Sequence, residues 1–180
     1  FSLCIILFPL MYVVSLSFSG AAQVLQGNVT FFPKDFTLAS YAEMMKSPMI
    51  LKAYKNSILY TATSVSISMV LVTMTAYPLM RKDLPGRKIL INMILFTMFF
   101  NGGIIPIYIL LQNLGFMDKI WALVIPWAIP QFELFLLKNY FENTPEEIYE
   151  AAVVDGASEF RIMVNIYVPL AQPMFAALAV

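Results

Sequence analysis

The chain has 180 residues, 60% apolar and only 12% charged, and its eleven basic and eleven acidic side chains cancel to a formal charge of zero. A soluble domain carries roughly twice that charged fraction, so the composition is that of a membrane protein and offers no basic footprint for a nucleic acid. The absence of histidine excludes imidazole catalysis and imidazole metal sites, and the single cysteine, Cys4, excludes an internal disulfide.

Phe1–Phe18 is an apolar run that predicts most of a first span. It ends in Ser19-Gly20-Ala21, small residues that also suit a signal-peptide cleavage site, although the spans that follow favour a retained helix. Gly20–Lys55 is polar, and within it Thr37 is placed to cap a short amphipathic helix with Leu38, Tyr41, Ala42 and Met45 on one side. Asn56–Leu79 predicts a second span, with Ser57, Thr61, Ser64, Ser68 and Thr75 on one stripe. Small hydroxyl residues in such a stripe serve close helix packing or line a polar path. Met80–Lys88 sets Arg81, Lys82, Arg87 and Lys88 against one acid, Asp83, which marks the cytoplasmic side. Alternation then puts Gly20–Lys55 outside and Glu146–Pro169 inside.

Ile89–Leu111 predicts a third span, interrupted at Asn101-Gly102-Gly103 and again at Pro106. Such breaks are tolerated where protein or a water-filled cavity satisfies the freed backbone groups. Residues 120–138 predict a fourth span, with a kink expected from Pro126 and Pro130. Glu133 falls inside it, about 18 Å from Trp121 at 1.5 Å per residue. Intramembrane carboxylates usually face a pathway or a partner; snorkelling, or a pair with Lys138, is the alternative. Asn101 and Glu133 are therefore the residues expected to face a substrate pathway. Residues 170–180 begin a fifth span, and both termini lie in apolar runs shorter than a crossing needs, so the chain is expected to be a piece of a longer protein.

Glu146–Pro169 is a largely polar run with its own helix grammar. Thr144-Pro145-Glu146-Glu147 has the pattern of an N-cap, a proline at the first helical position and a glutamate closing a capping box. The helix that follows, to about Asp155, would align Ile148, Ala151, Ala152 and Asp155 on one face. Gly156 stands where the chain must turn through positive φ, and Ser158 is placed to cap a second helix that Pro169 interrupts.

The spacing of Glu150-Ala151-Ala152, Gly156, Ile166 and Pro169 resembles the "EAA" loop of ABC importer permeases, with Val168 where leucine usually precedes the proline. Ala76-Tyr77-Pro78-Leu79, Phe96–Pro106 and Trp121-Ala122-Leu123 are similar to the carbohydrate-uptake branch, and within it to the oligosaccharide subgroup of Gram-positive bacteria. The resemblance implies an all-α polytopic bundle, here truncated at both ends, with residues 139–169 as a cytoplasmic loop coupling ATP hydrolysis to translocation in a bacterial cell membrane. It implies separate ATP-binding cassette ATPase subunits, a second homologous permease and an extracellular sugar-binding protein as partners, besides membrane lipid. On it, Glu150 makes a charged contact with the ATPase, Ala151 and Ala152 permit close approach, and Asp155, Gly156, Ile166 and Pro169 complete the coupling set.

The chain has no GxxxxGK[ST] phosphate loop, so ATP hydrolysis is expected on a partner chain and no catalytic residue, metal or cofactor is expected here. The rival reading is a cation- or proton-coupled carrier using Glu133. A membrane-embedded enzyme is disfavoured, because the spans carry no nucleophile–base pair.

Overall fold

The computed structural model describes residues 2–179, and among these every regular element is helical, as the composition and spacing predict. Phe1 and Val180, the outer limits of the first and last expected spans, lie outside the described residues, as do the side chains of residues 2–4, Cys4 among them. The chain forms two compact units, Phe1–Ile58 and Leu59–Val180.

The first unit holds α1 (Ser2–Ser17), α2 (Ala21–Leu25), α3 (Ala39–Lys46) and the start of α4 (Pro48–Met80). Its small residues are used for close packing. Ser19 is buried, donates to the Ser15 carbonyl at 2.6 Å and accepts from the Lys34 N–H at 3.1 Å. Gly20 N–H bonds the Lys34 carbonyl at 3.0 Å, and a Cβ on Gly20 would come within 3.2 Å of the Asp35 Cβ. Leu38, not Thr37, is the N-cap of α3, and the Thr37 hydroxyl, one residue earlier, accepts the Ala39 N–H at 3.1 Å.

α4 begins at Pro48, eight residues ahead of the expected second span (56–79). Ser47 is extended and Pro48 takes the first helical position, a start signal that Lys52 and Lys55 do not cancel, because a charge does not end a helix. The hydroxyl stripe is not one buried face. Ser57 and Thr61 are exposed, Ser64 is half-buried, Ser68 is buried, and Thr75 donates back to the Leu71 carbonyl of its own helix at 2.7 Å.

The second unit continues α4 and adds α5 (Arg87–Phe99), α6 (Ile104–Asn113), α7 (Trp121–Val124), a 3-10 turn (Ile125–Trp127) and α8 (Gln131–Glu142). The expected third span (89–111) is two helices bent by 114° at the Asn101–Gly103 break. Gly103 holds φ 82°, and the Asn101 side-chain oxygen accepts its N–H at 2.9 Å, so the break is a built turn. The expected fourth span (120–138) bends by 49° before Pro130 and runs on to Glu142. Among the described residues, α4 is the one unbroken helix long and apolar enough to cross a membrane, and each bent pair qualifies when taken as one broken span.

The core of this unit gathers where α4, α8 and the 146–171 segment meet. α8 contributes Leu134, Leu137 and Phe141 at spacings of three and four, the repeat of one helix face. Val72, Ala76 and Tyr77 answer from α4, and Ile162, Met163 and Tyr167 from the far side of the loop. Tyr77, Phe141 and Tyr167 pack edge to face around one point, with centroids 5.4–6.5 Å apart.

Candidate functional site

Residues 139–169 fold as α9 (Glu146–Val154), a glycine corner, and α10 (Glu159–Ile162), which runs through a π-helical turn (Met163–Tyr167) into α11 (Val168–Leu170) and, past a break at Ala171, α12 (Gln172–Leu178). The corner is closed by two backbone bonds, Gly156 N–H to Val153 O and Ala157 N–H to Ala152 O, both 3.0 Å. Together they satisfy the Ala152 and Val153 carbonyls near the end of α9, and they go with the positive φ of 74° that Gly156 supplies. Ser158 then caps α10, its hydroxyl accepting the Arg161 N–H at 3.4 Å.

Pro145 itself occupies the N-cap position of α9 with extended ψ, while the Thr144 hydroxyl turns back to the Tyr140 carbonyl, so no capping box forms. The buried stripe of α9 is not the expected Ile148-Ala151-Ala152-Asp155 face. Ile148 and Tyr149 are half-buried and Ala152 is 7% exposed within the core, whereas Ala151 and Asp155 face out. Ala152 is thus largely taken up by contacts within this chain. Pro169 does not stop the second helix, which absorbs it as a π turn and continues to Leu170. The missing proline N–H is tolerated where the ladder is already widened.

Of the expected site residues, the fold brings Glu150, Ala151, Asp155 and Gly156 to one exposed edge beside Val153 and Val154. Ile166 leans on the core behind them and Pro169 is exposed farther along. Asn101 is exposed on the α5–α6 turn, and Glu133 is half-buried in the first turn of α8, where a helix dipole favours a carboxylate. Lys138 does not pair with Glu133. Lys138 is only 6% exposed as a residue, and its ammonium bonds Glu142 at 2.7 Å. Arg87 bonds the same carboxylate and donates through Nε to the Leu79 carbonyl at 2.8 Å, joining the ends of α4, α5 and α8.

Sequence reasoning missed a cluster centred on Glu159. Tyr77 of α4 donates to one carboxylate oxygen at 2.7 Å and Tyr149 of α9 to the other at 2.6 Å. The Arg81 guanidinium lies 3.9 Å over the Tyr149 ring and pairs with Asp83 at 3.2 Å. The Tyr149 hydroxyl holds the Glu159 carboxyl below the usual carboxylate range; burial opposes this and the Tyr77 hydroxyl adds to it. Glu159 in turn pushes the Tyr149 hydroxyl up. A cavity of about 420 Å³ opens beside the cluster, walled by Met74, Tyr77, Arg81, Glu159, Phe160 and Met163 among others.

Residues 50–180 match the family described as the binding-protein-dependent transport system inner membrane component. The chain belongs to that family. It is 36% identical over 175 residues to protein LplC of Bacillus subtilis, covering 97% of this chain and 59% of LplC. It is 35% identical to the polygalacturonan/rhamnogalacturonan transport system permease protein YtcP of the same organism, covering 95% of this chain and 60% of YtcP. Its fold matches a bacterial ABC transporter involved in the import of the acidic polysaccharide alginate, with a TM-score of 0.92 and 33% identity over 99% of this chain and 64% of that one. The chain spans about three fifths of the length of these curated relatives. Family membership makes it an inner-membrane component, in line with its apolar helices.

Proposed function

We propose that this permease chain forms part of the membrane path of an ATP-driven importer of sugars, oligosaccharides in particular, and that residues 139–169 are its docking loop for the ATPase. The observation that carries the reading is the two-sided construction of α9. One side, through Tyr149 and Ala152, is packed into the core with α4 and α8, while Glu150, Ala151, Val153 and Val154 stand outward, Val154 at 86% exposure. An acidic, small-residue edge with two exposed valines suits a protein partner, and a helix fastened on its other side can pass a push inward. The sugar assignment rests on the substrates named for YtcP and for the alginate importer.

On this reading the partners are ATP-binding cassette ATPase subunits, a second homologous permease and an external sugar-binding protein. Glu150 contributes charge to the ATPase contact, Ala151 close approach, Gly156 the corner, and Ile166 and Pro169 the seat of the corner on the following helix. Asn101 and Glu133 are the pathway-facing pair. Co-purification of the full-length protein tests the reading: an ATPase subunit and a second permease should accompany it, and Glu150→Lys should reduce the ATPase recovered while Glu150→Gln reduces it less. Recovery of the full-length protein alone would overturn it.

A further inference from the structure

We propose that Glu159 is the positioning residue that passes movement of α9 to the span α4, by holding Tyr149 and Tyr77 on the two oxygens of one carboxylate. The inference rests on the permease reading above and adds to it a transmission route through Glu159, Tyr149 and Tyr77, none of them among the coupling residues named there.

The argument is mechanical. α9 and α10 meet at Gly156, where the backbone has the most freedom of any residue type. The core contacts of Tyr149 and Ala152 and two backbone bonds tie α9 down, but the corner remains the point where α9 can pivot against α10. The Tyr149–Glu159 bond crosses it, with the donor ten residues before the acceptor and on the opposite side of the glycine, so it converts a hinge into a brace. The Tyr77–Glu159 bond then fastens the brace to α4 across 82 residues of sequence. Both bonds are to a charged acceptor, roughly twice as strong as neutral ones.

Neither tyrosine is free to leave. Tyr77 is wedged edge to face between Phe141 and Tyr167, and the Tyr149 ring is covered by Arg81, which Asp83 holds. The packed end of α4 is thereby linked to α9 through one carboxylate, and a displacement of α9 has a direct polar route to α4.

The test uses the full-length permease assembled with its partner permease and ATPase subunits in vesicles, lacking Cys4 and carrying Ser64→Cys on α4 as a thiol reporter. ATP with vanadate is the probe, and the readout is the change it causes in labelling rate at position 64. Glu159→Ala and Tyr77→Phe should retain the ATPase subunits yet lose that change by roughly tenfold, the scale of one charge-assisted hydrogen bond. Glu159→Gln, which keeps an acceptor for one tyrosine, should recover part of it. A full ATP-dependent change in Glu159→Ala, or an unmutated complex whose position 64 ignores ATP, overturns the transmission role. Loss of the ATPase subunits from both Glu159→Ala and the milder Tyr77→Phe makes the cluster a folding brace and also overturns it. An unmutated protein that never binds an ATPase removes the permease reading itself, before any variant is compared.

Discussion

The Lys138 ammonium lies 2.7 Å from the Glu142 carboxylate, four residues along the same helix, and is almost wholly buried there. Arg87 shares that carboxylate, so one acid serves two cations at the junction of α4, α5 and α8. Removing the acid strands a buried charge, whereas removing the lysine strands nothing. Glu142→Gln should therefore lower stability by about 1–3 kcal/mol, below the ~3–5 of a fully buried pair because Glu142 is partly solvated. Lys138→Met should change it by less than about 1 kcal/mol. Thermal unfolding of the two variants in detergent checks the order, and equal losses would mean that the pair is not the source.

Acid should loosen the loop through Glu159. Its carboxyl pKa is depressed in the folded chain, so the stabilisation is fully present above the ordinary carboxylate value of about 4.3 and is lost as pH falls through the lower, folded value. Hydrogen exchange in α10 should be independent of pH-driven opening near neutrality and should rise only on strong acidification. Glu159→Gln should abolish that rise. A transition near neutral pH would assign the effect to another group.

Gly156→Ala should cost about 1–2 kcal/mol, the penalty of a left-handed conformation with a Cβ, since no neighbouring atom crowds the position. Gly156→Pro adds the loss of the N–H bond to Val153 and forbids positive φ, so it should abolish coupling. Sugar-stimulated ATP hydrolysis in reconstituted full-length complexes, beside an unchanged helix signal by circular dichroism, measures this.

Adjacent alanines should answer differently to the same enlargement. Ala152→Leu forces a larger side chain into the core and should destabilise the chain by about 1–3 kcal/mol. Ala151→Leu points outward, should leave unfolding unchanged, and should weaken only recovery of the ATPase. Identical melting losses in both would place position 151 inside as well.

Topology is checked with impermeant thiol reagents on intact cells in a Cys4-free background. On the proposed topology, with the basic 80–88 segment and residues 139–169 cytoplasmic, Lys34→Cys should be labelled, whereas Lys82→Cys and Val154→Cys should be protected. Labelling at position 154 from outside would invert the arrangement.

What the sequence disclosed and what it hid divide by range. The Gly156 corner, the Ser158 cap and the Asn101–Gly103 break are set by residues a few positions apart, so their chemistry is legible in a linear reading. The α9 face was misjudged by about one position, because helical spacing alone cannot say whether Ala151 or Ala152 meets the core. The Glu159 cluster and the Arg87–Glu142 pair join residues 82 and 55 positions apart, and polar contacts of that reach leave no local pattern. The early start of α4 was the avoidable miss, since Ser47-Pro48 is a helix-start signal that the nearby lysines obscured.

The π turn at Met163–Tyr167 amounts to one residue inserted into an α-helix, which rotates everything beyond it by about 100° relative to what precedes it. A single-residue deletion within that turn would return the ladder to α-helical spacing, remove the widening that accommodates Pro169, and swing Pro169 and α12 to a new azimuth. Among relatives of this chain, a one-residue gap between Ser158 and Pro169 should thus be rarer than a gap of the same size between Phe116 and Lys119, where a loop can absorb it.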